Sequence, residues 1–489
     1  MITVLSVYKR PMSARLLCAI PVVMGLLIGG CISSHYSPPK ERALENPADL
    51  GLLGALAPVA DAEWWAAYQD PQLDHLVRGA QADNPTLAQS LARVRGAQAE
   101  AAAVRADSWP SVTYDAAETR KRFSEHDPIP PLYAGTQRWQ GSQGFNLSWD
   151  LDFWGRQAAL VRQANTRFDA AAFDSAGARL SIAGAVVRSY LALDRAYGLA
   201  DVAERAERQR LEILSITQRR FNAGLDTTVE LRQAEGAVAD ARVDLTQIHA
   251  ERDRDVHLLA ALSGQGAAAH GSIERPRLRA DTALVLPVSL PFDLLARRPD
   301  VLAAHSRIVS ARDGLYAAKA AFYPDINLLA FAGTEAIGFE NLFHAGSRTF
   351  GVGPSLHLPV FDAGKLRADY RGRAADVDAA IAAYNQTVLE AVQQTADQIS
   401  DIVALDSGLQ EQWRSLNAAE EAFLLATQRY RAGVTTYLTV LTTETEVLAA
   451  RRRRVELLSA RDMARVTLLI DVGGDFHLDP AMANATTPH

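Results

Sequence analysis

Glycines recur along this chain at one fixed spacing. Gly155 and Gly364, Gly224 and Gly433, and Gly264 and Gly473 are each 209 residues apart. A second offset of 214 relates Pro85 to Pro299 and Trp109-Pro110 to Tyr323-Pro324. Shared offsets of this kind mark an internal duplication, which constrains the fold before any finer reading. The body of each copy is a long helical hairpin. Arg156 to Gly264 folds back at Arg219-Arg220-Phe221-Asn222-Ala223-Gly224, and Lys365 to Gly473 at Gln428-Arg429-Tyr430-Arg431-Ala432-Gly433. At 489 residues the chain is long enough for several domains, but the duplication favours two halves of one body.

The N-terminus reads as an address rather than as part of the fold. Lys9, Arg10 and Arg15 precede an apolar run of 13 residues from Leu16 to Ile28. That is too short to span a bilayer and suits a signal peptide over residues 1–30. The run ends in Ile28-Gly29-Gly30-Cys31, which resembles a lipobox, so Cys31 is expected to be the lipidated first residue of the mature chain. Acyl chains contribute about 0.8 kcal/mol per buried CH₂ and would hold that end on a membrane. Cys18 leaves with the signal, so no intramolecular disulfide and no cysteine-based metal site is expected. Losing the three leader cations leaves 47 Lys+Arg against 57 Asp+Glu, a balance of −10 that argues against nucleic acid as a partner.

The organisation expected of the rest is a lipidated linker over 31–60, a first repeat over 61–264, a linker over 265–297, a second repeat over 298–473 and a tail over 474–489. Asp70-Pro71 suits a helix start, and Trp64-Trp65 suits packing under that short helix. Residues 61–80, the second linker and the tail could together form a belt. Helices opened by Pro85 and Pro299 stop near the aromatic-proline pairs, because the residue before proline avoids helical dihedrals.

After each short helix the period changes from 3.6 to 2. In Phe145-Asn146-Leu147-Ser148-Trp149-Asp150-Leu151-Asp152-Phe153 odd positions are apolar and even ones polar. Phe350, Val352, Leu356, Leu358 and Val360 alternate similarly with Gly351, Gly353, Ser355 and His357. With strands from Pro110 and Pro324 they form two hairpins, with loops near 123–138 and 335–348. Two-faced strands of roughly ten residues have the pattern of an outer-membrane barrel wall. Four cannot close a barrel, since single-chain barrels begin at about eight, whereas three copies supply twelve.

The helices are long enough to need neighbours. Val186, Tyr190, Leu193, Tyr197 and Ala200 step by 4, 3, 4 and 3, as a coiled-coil seam does. Ile399, Ile402, Leu409, Trp413 and Leu416 are expected to form a second seam, with Asp406 as a polar intruder. Three protomers could therefore wall a helical tunnel; a closed coiled-coil bundle is the simpler alternative. A mean hydropathy of −0.06 excludes a polytopic helical membrane protein. The fold class expected is mainly α with a small membrane β-barrel: a trimeric twelve-stranded barrel continuing into a twelve-helix α-barrel.

The duplication, the two Phe/Tyr-x-Ala-Gly tips, the Trp-Trp-x-x-Tyr-x-Asp-Pro-x-Leu segment and the lipobox together resemble the TolC-like outer membrane efflux factors, and the lipoprotein signal with Trp64-Trp65 their NodT-like branch. The resemblance covers roughly residues 31–475. It implies a homotrimer in outer membrane lipid, docked through its tips on a periplasmic adaptor that is bound to an inner-membrane RND-type pump. Arg220, Phe221, Gly224, Leu225, Arg429, Arg431, Gly433 and Val434 would then form the docking tips. It also implies a latch between Glu230 and Tyr430, and a pore constriction at Leu438, Thr439 and Thr442. Family members often carry aspartates at those last two places, so weaker cation selectivity is expected here.

No catalytic residue, metal site or cofactor motif emerges. Gly351-x-Gly353 lies in a strand without a phosphate-binding helix after it. His249 and His257 lack a third ligand, and Arg451 to Arg454 lie among carboxylates on an amphipathic helix, as an inter-helix or solvated face would. The function expected is passive conduction of drugs or other small toxic compounds. The alternatives are a type I protein-secretion exit channel and a lipid-anchored coiled-coil scaffold without a pore.

Overall fold

A computed structural model describes residues 43, 63–126, 129–278 and 297–474. The expected signal peptide, Cys31, most of both linkers and nearly all of the tail lie outside the described residues. The elements in order are α1 (Pro71–Asp83), α2 (Pro85–Ala106), β1 (Ser111–Arg122), β2 (Gln137–Asp150), α3 (Arg156–Asn222), α4 (Thr228–Leu262), α5 (Pro299–Ala320), β3 (Asp325–Ile337), β4 (Arg348–His357), α6 (Lys365–Arg431) and α7 (Tyr437–Asp471). The duplication holds end for end. Helices α3 and α6, and α4 and α7, start and stop 209 residues apart, while α2 and α5 do so at 214.

Compact units cut across this repeat. One gathers Ala102–Gln163 and Ser310–Ala379, and with them all four strands; the other holds Ala43–Ala101, Ala164–Val309 and the chain from Ala380. In the first unit the two expected hairpins join through a β2–β3 seam into one antiparallel sheet, in the order β1-β2-β3-β4. The turns between strands span 123–136 and 338–347, close to the expected loops. Register sorts the side chains. Tyr114 sits opposite Phe145 with ring centroids 5.2 Å apart on one face, while Asn146 Nδ2 donates to Asp115 Oδ2 at 2.8 Å on the other. Ser148 and Asn327 pair across the seam on that polar face, and Phe350 and Val352 extend the apolar one. Where Gly144 meets Gly333, a Cβ added to Gly333 would lie 2.2 Å from the Gln143 carbonyl oxygen, so only glycine lets the seam close there.

In the second unit Trp64, Trp65 and Tyr68 form a short 3₁₀ turn whose rings pack with Leu73 and Val77 of α1. Val186, Tyr190 and Leu193 of α3, Leu259 of α4 and Val466 of α7 complete that core. The first seam is therefore buried as expected, with Tyr197 half-buried beside it. Asp70 caps α1 by accepting from the Gln72 N–H at 3.0 Å, and Pro71 takes the first helical position. The other oxygen of the same carboxylate accepts from Tyr190 Oη at 2.7 Å and the Arg277 N–H at 2.8 Å. The Gln72 amide both donates to and accepts from the Glu274 backbone, so the start of the second linker is bound to α1. The other segments expected to join in a belt fall largely outside the described residues.

The second seam departs from expectation. Ile402 and Leu416 are buried, but Trp413 is 59% exposed and Gln412 takes the inward place, donating to the Ala450 carbonyl at 2.9 Å. Leu416, two heptads beyond Ile402, keeps its inward place against Val447 and Ala450 of α7, so it is the local packing of α6 on α7 that seats Gln412 rather than Trp413. The arginine run faces other helices. Arg451 reaches Glu420 of α6 and Gln209 of α3, and Arg452 reaches Asp244 of α4.

Candidate functional site

The tips are built by the local rules that end helices. Gly224 (φ 72°) and Gly433 (φ 74°) adopt the left-handed conformation that releases the chain from α3 and from α6. Leu225 N–H then returns to the Arg220 carbonyl at 2.9 Å, and Val434 N–H to that of Arg429 at 2.9 Å. Two otherwise orphaned carbonyls are satisfied, and Leu225 and Val434 are left exposed at the apex. Phe221 is half-buried, Arg429 is exposed, and Arg431 pairs with Glu212.

Tyr430 does not bond to Glu230. Its ring is fully buried between the two hairpins, and its hydroxyl donates to Asp226 Oδ2 at 2.5 Å, with Thr217 Oγ1 3.0 Å away. Arg220 binds the same carboxylate with two nitrogens, at 2.9 and 3.1 Å, and donates to the Tyr430 carbonyl at 3.0 Å. Its guanidinium carbon lies 4.6 Å from the centroid of the Tyr430 ring. The cluster at the place of the expected latch is thus Asp226, Arg220, Tyr430 and Thr217. Glu230 is occupied locally: it accepts from the Thr227 N–H at 2.8 Å and from the Thr227 hydroxyl, closing a capping box at the start of α4. A three-residue loop costs far less to order than a contact between residues two hundred apart, so the near partner wins. Thr227→Ala should destabilise the start of α4 by about 1 kcal/mol, read as a lower thermal midpoint with conductance unchanged.

Electrostatics favour this cluster. Desolvation pushes the Asp226 carboxyl up, but the hydrogen bonds from Arg220 and Tyr430 outweigh it and hold it below the usual range. Burial and the Asp226 bond push Tyr430 up to about 12, so it stays a donor. Deeper in the same unit, Glu444 of α7 lies 2% exposed with Arg210 Nε of α3 at 3.4 Å. Burial raises its pKa against the pull of Arg210. Neither Asp226 nor Glu444 was singled out in the sequence. Each had a signal: Asp226 follows the tip glycine where the second tip has Thr435, and Glu444 interrupts the apolar run Tyr437, Val440, Val447.

Leu438, Thr439 and Thr442 all lie exposed on one side of α7. Thr442 Oγ1 donates back to the Leu438 carbonyl at 2.9 Å, and Thr439 Oγ1 accepts from Thr435 at 3.0 Å. The expected constriction residues therefore share a free surface within the single chain.

The sequence profile of the family described as "Outer membrane efflux protein" matches residues 76–265 and 290–474, one match to each repeat. The chain belongs to that family. Among relatives, the fusaric acid resistance protein FusA of Burkholderia cepacia is 34% identical over 371 residues, 74% of this chain and 69% of its own length. The pyoverdine export outer membrane protein OpmQ of Pseudomonas aeruginosa is 30% identical over 475 residues, covering 93% of this chain and 96% of its own. The crystal structure of the outer membrane protein VceC from Vibrio cholerae superposes with a TM-score of 0.80 at 32% identity, covering 86% of this chain and all of that one. The protein is an outer membrane efflux channel with the TolC-like fold, and members of this family are trimeric channels of tripartite efflux systems. The poreless scaffold alternative is set aside. Among the described residues the sheet ends in the unpaired edges β1 and β4, which a shared barrel would join, because lipid offers no partner to an open strand edge.

Proposed function

We propose that this efflux channel is the passive exit duct for small toxic compounds, delivered by a periplasmic adaptor and an inner-membrane RND-type pump, without catalysis of its own. The observation that carries this reading is the two-faced sheet with two free edges. Three copies close it into twelve strands with polar residues toward water. The relatives named for fusaric acid resistance and pyoverdine export support small compounds as cargo rather than proteins. Adaptor hairpins would meet the exposed apex at Leu225 and Val434, flanked by Arg429 and Arg431. Leu438, Thr439 and Thr442 would narrow the bore with neutral side chains, giving weaker cation selectivity than an aspartate ring. Cys31 would carry the lipid that adds a second hold on the outer membrane.

The test is the mass of the purified protein together with its single-channel conductance in planar bilayers. A trimer with small, steady openings and modest cation preference is expected. A non-conducting monomer or dimer would overturn the duct.

A further inference from the structure

The polar face of the sheet carries an exposed aromatic ring near its middle. Phe331 pairs with Asn146 across the β2–β3 seam and with Gly351 across β3–β4, so it stands on the face that carries Asn146 and Ser148 rather than on the apolar one. Its ring position agrees: a Cβ added to Gly351 would lie 2.8 Å from Phe331 Cε1 and 3.0 Å from Cζ. The phenyl therefore covers a residue that has no side chain. The surroundings are equally bare. Gly144 and Gly333 meet each other beside it, and a Cβ on Gly353, opposite Leu329, would find nothing within 4 Å. Phe331 remains 47% exposed and Leu329 44%.

In a trimeric channel this face lines water, where an aromatic ring gains neither lipid nor core. Covering glycine backbone is a known use of an aromatic side chain in a sheet. It accounts for the side of the ring turned to Gly351 but leaves the other side open. The register neighbours Asn146, Ser148 and Asn327 are hydrogen-bonding groups, so the exposed ring is the one flat apolar surface among them. Asp115, bonded to Asn146 on the same face, adds negative charge nearby.

We propose that Phe331, flanked by Leu329, is a stacking platform for planar aromatic cargo in the barrel lumen, one per protomer. It presupposes the trimeric duct described above. The electron-rich ring face and the nearby Asp115 favour aromatic cations. A single ring contact changes affinity by about two- to tenfold. That weakness suits a conduit, whose sites must release what they bind.

Ethidium, a planar aromatic cation, is titrated against the full trimer in phosphatidylcholine nanodiscs, with empty discs subtracted and the trimer's mass read on the same sample. Saturable binding is expected. Phe331→Leu, which still covers Gly351, should weaken it about two- to tenfold. Phe331→Tyr should retain it, and Phe350→Leu on the apolar face should leave it unchanged. Tetramethylammonium, which meets the ring face only through its charge and cannot stack, should compete far more weakly than ethidium itself. A trimer that binds no ethidium, or binds it equally well with Phe331→Leu, sinks the platform and leaves the duct standing. A wild-type chain that is not trimeric removes the duct itself.

Discussion

Asp226→Ala raises the conductance of the purified trimer, because it removes the group on which Arg220 and Tyr430 converge. The side chains of Arg220 and Asp226 are only 14% and 8% exposed, so the guanidinium is left nearly dry without its counter-charge. Hydrogen bonds to charged groups contribute about 1.5–3 kcal/mol each. A loss of about 2–3 kcal/mol per protomer shifts the closed-to-open ratio roughly 30- to 150-fold. Tyr430→Phe acts in the same direction but less, since the buried ring and its contact with Arg220 survive. Glu230→Ala removes a helix cap and leaves the current unchanged. Measured side by side in planar bilayers, a leaky Glu230→Ala with a tight Asp226→Ala would restore the Glu230 latch and refute this one.

Acid should open the channel only late. The folded-state pKa of Asp226 is depressed. The latch is therefore at full strength above the unfolded value of about 3.9, and is lost as pH falls through the lower folded value. Conductance measured from pH 7 down to 5 should show no change attributable to this carboxylate, and a rise within that window would contradict the assignment.

Asp70→Ala should be the most destabilising single change in the helical unit. Asp70 is 3% exposed and accepts three hydrogen bonds, from the Gln72 N–H, Tyr190 Oη and the Arg277 N–H. Its loss removes the cap of α1, leaves the fully buried Tyr190 hydroxyl without an acceptor for its proton, and frees the linker at Arg277. Cap loss costs about 1 kcal/mol and each buried group left unsatisfied about 1–3 kcal/mol, so roughly 3–5 kcal/mol is expected. Asp70→Asn keeps one acceptor, enough for the cap, but turns an amide NH₂ toward the Tyr190 hydroxyl and the Arg277 N–H, so it should recover only the cap, about 1 kcal/mol. Thermal unfolding of the trimer followed by circular dichroism orders the two variants. An Asp70→Ala midpoint equal to that of the wild type would show that the triple acceptor contributes nothing.

Local physics made much of this protein legible in its sequence. The 209 and 214 offsets placed the repeated helix ends, the change of period placed the strands, and the positive-φ glycines placed both tips, because each depends on residues within a turn or two of one another. Asp70-Pro71 announced α1 for the same reason. What the sequence could not decide was choice among distant partners. Tyr430 had two carboxylates within reach of the first tip, and Asp226 won because Glu230 was already held by Thr227, three residues away. The outward turn of Trp413 came from the packing of α6 on α7, where Gln412 took the inward place and bonded the Ala450 carbonyl. The facing of Phe331 came from the β2–β3 register, which joins strands nearly two hundred residues apart. Periodicity tells which residues share a face; only the packed chain decides which face meets which partner, because that choice is settled by competition among contacts far apart in sequence.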